Sequence, residues 1–244
     1  MNGLLPIYRR ELASYFATPL AYVFIVIFLL LAGAFTFSLG GFYERGQADL
    51  APFFGFLPWL YLFLVPAVAM RLWAEERRSG SIELLLTLPV KPGAAVAAKF
   101  LAGLTFIGLA LALTFPIWIT VNYLGSPDNG AIVAGYLGSL LMAGGFLAVG
   151  SCLSAATRSQ VIAFILTVVV CFLLLLAGFP LVLDAFRGWV APGVLDAIAS
   201  LSFLTHFQAI SKGVVDLRDV LYFAMTIGAW LYATTLVLEL RKAD

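Results

Sequence analysis

Residues able to do acid–base, nucleophilic or metal chemistry are few in this sequence, and they are not spaced for it. The one histidine, His206, rules out an HExxH zinc site, which needs two imidazoles on one helix face. Standing alone, it reads as a hydrogen-bonding core or interface residue rather than a ligand. The two cysteines, Cys152 and Cys171, lie in apolar stretches without CxxC spacing, so neither a disulfide framework nor a zinc site is indicated. No GxSxG nucleophile signature occurs. No glycine is followed by lysine, so the chain has no GxxxxGK[ST] loop with which to cradle a phosphate. No catalytic and no metal-binding residue is assigned, and the chain is not read as an enzyme. One cluster remains. Glu75, Glu76, Arg77, Arg78 and Glu83 crowd around a short apolar run, 82–88. Such a mixture suits contact rather than bond-making.

The elements that must carry this cluster follow from composition. Of 244 residues, 63% are hydrophobic and only 11% charged, against about 25% charged in a soluble domain. That little charge cannot cover a water-soluble globule, and disorder needs low hydrophobicity instead. The net charge of +1 gives no basic field for nucleic acid. Runs free of Asp, Glu, Lys and Arg cover 12–43, 50–70, 100–127, 129–157, 159–183 and 220–238. A bilayer core about 30 Å thick needs roughly 20 apolar residues in a helix. The expectation is an all-α polytopic membrane protein, 1–244 forming one transmembrane domain. Its six spans fall near 20–41, 54–74, 100–123, 133–156, 160–183 and 219–239. The first run, beginning after Arg9 and Arg10, is longer than the apolar part of a signal peptide and is read as an uncleaved helix. With the N-terminus inside, ten of the 14 basic residues fall on the cytoplasmic side and only Arg45, Arg187, Lys212 and Arg218 outside. That asymmetry predicts cytoplasmic termini.

Connections longer than topology requires carry the remaining signals. In the cytoplasmic segment 75–99, Ser79, Gly80 and Ser81 interrupt the second span. Ile82, Leu85 and Leu86 then stand at helical spacing, and Pro89 ends the run. Two readings stand from chemistry alone: an interfacial helix lying on lipid, or a docking knob for a cytoplasmic partner. The outer segment 184–218 is too apolar for an aqueous loop and too broken by Pro192-Gly193 and Gly213 for two full spans. Re-entrant helices fit it, with amphipathic helices in the outer leaflet as the alternative. Segment 1–19 mixes Arg9, Arg10 and Glu11 with Tyr8, Tyr15 and Phe16, as an interfacial helix or the start of the first span would. Gly144, Ala148, Cys152 and Ala156 recur every four residues, a face for close helix approach or, less favoured, a substrate path. No span carries a charge at its centre for a coupling ion.

Glu75-Glu76-Arg77-Arg78-Ser79-Gly80-Ser81-Ile82-Glu83-Leu84-Leu85-Leu86, followed by Thr87-Leu88-Pro89, resembles the segment after the second span in ABC-2 type permeases, the membrane subunits of a class of ATP-binding-cassette transporters. Arg10-Glu11-Leu12, Tyr15-Phe16 and Pro19 resemble the N-terminus of the gliding-motility-associated branch. So do His206-Phe207 and Lys212-Gly213-Val214-Val215-Asp216-Leu217-Arg218-Asp219-Val220-Leu221-Tyr222 before the last span. The resemblance covers essentially the whole chain. It implies a second permease subunit, identical or paralogous, and two cytoplasmic ABC ATPases that bind the ATP and magnesium this chain does not hold. An accessory membrane or periplasmic protein is a further possible partner, beside membrane lipid. It also implies a coupling helix over Glu75 to Pro89, an N-terminal elbow helix and outer re-entrant helices. The expected setting is the bacterial inner membrane and the expected role an export permease. A membrane scaffold or assembly subunit, and an ATP-independent channel or carrier, are the alternatives. No residue is singled out for substrate contact.

Overall fold

Local sequence sets most helix boundaries in the computed structural model, which describes residues 4–82, 91–186 and 192–240. α1 (Leu4–Phe16) stops before Thr18-Pro19. Pro19 then opens α2 (Pro19–Ala34), a position where the missing N–H loses no helical bond. A π-helical turn (Phe35–Leu39) prolongs α2 toward the single turn α3 (Phe42–Arg45). α4 (Ala51–Ala69) is followed after one residue by α5 (Arg71–Ser79). Gly80, at φ 74°, ends α5 in the left-handed conformation that glycine adopts most cheaply. α6 (Pro92–Ala112) opens on proline, and a turn at Leu113 and Thr114 leads into α7 (Phe115–Leu124). Asp128 caps α8 (Asn129–Ala156) by accepting from the N–H groups of Gly130 and Ala131. Ser159 caps α9 (Gln160–Leu176) through Ile162. Three short helices, α10 (Pro180–Phe186), α11 (Pro192–Ser200) and α12 (Phe203–Ser211), precede the long α13 (Leu217–Leu240). No strand occurs among the described residues.

Five stretches are long and apolar enough to cross a bilayer: Ala21–Arg45, Ala51–Ser79, Pro92–Leu124, Asn129–Ala156 and Leu217–Leu240. A sixth arises if α11 and α12, bent by 67°, count as one broken span. The sequence placed its other span at 160–183, but the regular helix α9 has only 17 residues and stops at Leu176. Gly178 and Pro180 interrupt the run, proline lacking the N–H a continuing helix needs and opening the next helix instead, and at Gly178 the α12 segment comes close. A Cβ there would sit 2.3 Å from Ser202 Oγ and 2.4 Å from Thr205 Oγ1. The expected helix over 82–88 lies almost wholly outside the described residues, which end at Ile82 on that side.

α8 is the axis of the bundle and touches α4, α5, α6, α9, α12 and α13. Within its most apolar stretch 72% of residues are buried, against 22% for the first span and 11% for the last. α2 and α13 therefore stand at the periphery, with apolar faces turned outward. The small residues of α8 serve packing within the chain on several sides at once. Gly144 meets Ile227 of α13, Gly150 meets Ala69 of α4, and Gly135 meets the Phe54 ring. A helix lining an open substrate path would not be enclosed in this way.

Candidate functional site

α5 carries the first part of the charged cluster, and its two faces differ. Leu72, Trp73 and Ala74 are buried, whereas Glu75, Arg78 and Ser79 are exposed. The burial is fixed by two serines of α8. Ser154 Oγ accepts from the backbone N–H of Trp73 (3.1 Å) and of Ala74 (3.0 Å) and donates to Met70 O (3.0 Å). In an unbroken helix the Ala74 N–H would bond to Met70 O. Ser154 Oγ thus has a contact at each end of that turn, where α4 gives way to α5. Ser151 Oγ accepts from the Trp73 indole at 3.0 Å. Arg77 donates to the Ala155 carbonyl at the end of α8. Side chains of α8 and α6 thus supply partners to the Trp73 and Ala74 N–H groups and to the Met70 and Leu72 carbonyls at this junction.

Beside it lies a buried ion network. Lys99 of α6 is 2% exposed, and its Nζ donates to Leu72 O (2.8 Å) and Glu76 Oε1 (2.9 Å). Glu11 Oε2 of α1 stands 3.3 Å from the same Nζ. The ammonium also sits 4.9 Å from the centre of the Trp73 ring, within cation–π range. Arg10 bridges Glu11 (2.7 Å) and Glu76 (3.6 Å) from the outside. Its hydrogen bond to Glu11 raises the guanidinium above its ordinary value even though partial burial opposes that. Two cations and two carboxylates balance, so the network holds no net charge in a low-dielectric place where an excess would be costly. It ties α1, α5 and α6 together.

The structure therefore gathers Glu75, Glu76, Arg77, Arg78, Ser79, Gly80 and Ile82 at one end of the bundle. Glu75 is held by Arg71 at 3.1 Å, and Ser79 Oγ meets both Glu76 O and Ser81 Oγ. Ile82 packs on the core. Glu83, Leu84, Leu85, Leu86 and Pro89 lie outside the described residues. Sequence reasoning passed over Lys99, Glu11, Ser151 and Ser154. Lys99 did leave a signal: a lone lysine inside Ala94-Ala95-Val96-Ala97-Ala98-Lys99-Phe100 is too apolar a setting for a solvated loop end.

Over residues 5–239 the sequence matches the family model described as ABC-2 family transporter protein. The chain belongs to the ABC-2 transporter family. No curated protein matches it. Family membership and the apolar helices make this ABC-2 chain a multi-pass membrane permease of an ABC transporter, of a kind that works with an ABC ATPase.

A second polar constellation in the ABC-2 chain lies between α12 and α13. His206 is buried, with Nδ1 2.6 Å from Asp219 Oδ1 and Nε2 3.0 Å from Ser200 O. Its ring stacks on Tyr222 at 3.9 Å. A carbonyl only accepts, so the Nε2 contact is made by an N–H, while Nδ1 is hydrogen-bonded to the carboxylate. This is the hydrogen-bonded core histidine that its isolation in the sequence implied. Among the described residues no group of three or more His, Cys, Asp or Glu is placed to hold a metal ion.

Proposed function

We propose that this permease is the membrane half of an ATP-driven exporter, paired with a second permease subunit and two cytoplasmic ATPases. The observation that carries the reading is the fastening of α5. Ser154, Arg77 and the Lys99–Glu76 pair hold it to α8 and α6 immediately before the chain enters 83–90. A segment meant to convey force needs such a stiff root, because packed interfaces move as rigid units rather than deforming gradually. Residues 75–89 then form the coupling helix, with Glu83 making a charge-assisted contact to a basic group on the ATPase and Leu84 to Leu86 filling its cleft. α1, held to α6 by the Tyr8–Thr105 hydrogen bond and the Tyr15–Phe106 stack, is the interfacial elbow. α11 and α12 form the outer re-entrant pair, with α12 seated on α8. Both termini face the cytoplasm of a bacterial inner membrane.

The test is ATP turnover by the reconstituted complex. Glu83→Arg and Leu85→Asp each reduce co-purification of the ATPase or abolish substrate-stimulated turnover. Unchanged assembly and turnover in both variants would refute the coupling assignment.

A further inference from the structure

His206 and Asp219 form an ionisable pair at a depth where a bilayer makes charge costly. Phe203 fills the space over Gly145 of α8, while Phe207 and Ile210 fill that over Gly138. His206 therefore lies between about 14 and 24 Å along α8 from its start. It is 6% exposed, and Asp219 8%. α4, α8 and α9, which also pack on α12, contain no Asp, Glu, Lys or Arg. Asp219 and Tyr222 of α13 are the titratable groups against the imidazole. The other charges on the flanking helices, Asp196 of α11 and Arg218 and Glu239 of α13, are exposed.

The same cluster serves the bend between α11 and α12. Their axes differ by 67°, and the carbonyls freed at the bend are received by side chains, as lipid offers no donor. His206 Nε2–H donates to Ser200 O at 3.0 Å, and the Tyr222 hydroxyl donates to Leu201 O. The imidazole can keep both of its contacts only while a proton lies on the Asp219 side as well. Nε2 must carry hydrogen toward a carbonyl, and a bare Nδ1 would meet a carboxylate lone pair at 2.6 Å. The proton can be the second of an imidazolium or that of an undissociated Asp219. In either case its loss leaves a neutral ring with one N–H for two acceptors.

We propose that His206 and Asp219 together bind one titratable proton inside the membrane, and that this proton latches the α11–α12 bend. The latch is closed while the proton is bound and loosens as rising pH removes it, so its contribution to stability is present at low pH and lost toward high pH. It does not depend on which partner drives the permease. Because His206 is the sole histidine, nitrogen-15 labelling of histidine in the untagged full chain reports on this ring alone. Solid-state NMR in lipid vesicles follows it from about pH 6 to about pH 9, the range that brackets histidine chemistry. Amide hydrogen exchange over 198–205 is followed in parallel, corrected for the intrinsic effect of pH. On raising the pH the ring passes to a single protonated nitrogen. Exchange across the bend rises at least about tenfold, the worth of a charge-assisted hydrogen bond, while α8 is unaffected. Asp219→Asn, whose amide donates to Nδ1 at any pH, exchanges faster at the lower pH but shows no further rise. Tyr222→Phe removes one cap without touching the proton, so it speeds exchange throughout and keeps the rise. Imidazole signals that stay constant over the range, exchange that does not rise, or a rise that survives Asp219→Asn overturns the proposal. Should Asp219→Asn fail to fold, the imidazole signals and exchange of the unsubstituted chain decide.

Discussion

Lys99 and Ser154 hold more of this molecule together than any other two polar side chains described above. Each binds groups from an element other than its own. Lys99→Met would leave Glu11 and Glu76 facing each other with only Arg10 between them. Removing one member of a buried ion network costs about 3–5 kcal/mol, so the thermal midpoint in detergent falls sharply. Adding Glu76→Gln to Lys99→Met restores part of it, since the carboxylate is then no longer orphaned. Ser154→Ala removes the hydroxyl that serves the Trp73 and Ala74 N–H groups and the Met70 carbonyl and is expected to cost about 1–3 kcal/mol, read in the same melt. A sequence reading could locate the charges of 75–83 but not these partners. Lys99 is 23 positions from Glu76 and Ser154 is 80 from Ala74, and neither periodicity nor spacing reports contacts that only folding creates.

At the level of helices, close approach decides which changes the fold tolerates. A Cβ at Gly150 would stand 2.4 Å from the Cβ of Ala69, whereas one at Gly33 would have nothing within 4 Å. Gly150→Ala is therefore expected to lower stability by about 1–3 kcal/mol through overpacking. Gly33→Ala, in the interior of α2, should raise it by roughly 0.5–1 kcal/mol through helix propensity. Paired thermal melts distinguish the two. The His206–Asp219 pair fastens α12 to α13, and Asp219→Asn replaces its carboxylate with a neutral amide. It is expected to loosen α12, seen as faster amide hydrogen exchange over Phe203–Ser211 with little change in α8. Long apolar runs made the spans bounded by charges legible in advance, whereas the caps Asp128 and Ser159 that fix two of their starts emerged only with the structure. The end of α9 was written in Gly178 and Pro180, whereas the close approach of Ser202 and Thr205 to Gly178 is a contact that only folding reveals.

For the whole molecule, membership in the ABC-2 family fixes the setting, and the distribution of burial fixes what faces what. α8 is enclosed, while α2 and α13 turn apolar surface outward, as a membrane subunit with lipid or another subunit at its flanks requires. The brevity of α9 has a consequence for the bilayer itself. Its 17 residues rise about 25 Å, while a typical hydrocarbon core is about 30 Å thick. Beyond Leu176 the chain turns through Ala177, Gly178 and Phe179 instead of continuing the helix. A short span draws the surrounding leaflets together, at a fraction of a kcal/mol per Å of mismatch. The five longer stretches, of 24 to 33 residues, are long enough for the full core, so any thinning is confined to the lipid beside α9. Gly178→Ala is expected to lower the thermal midpoint in detergent, since a Cβ there would stand 2.3 Å from Ser202 Oγ and 2.4 Å from Thr205 Oγ1.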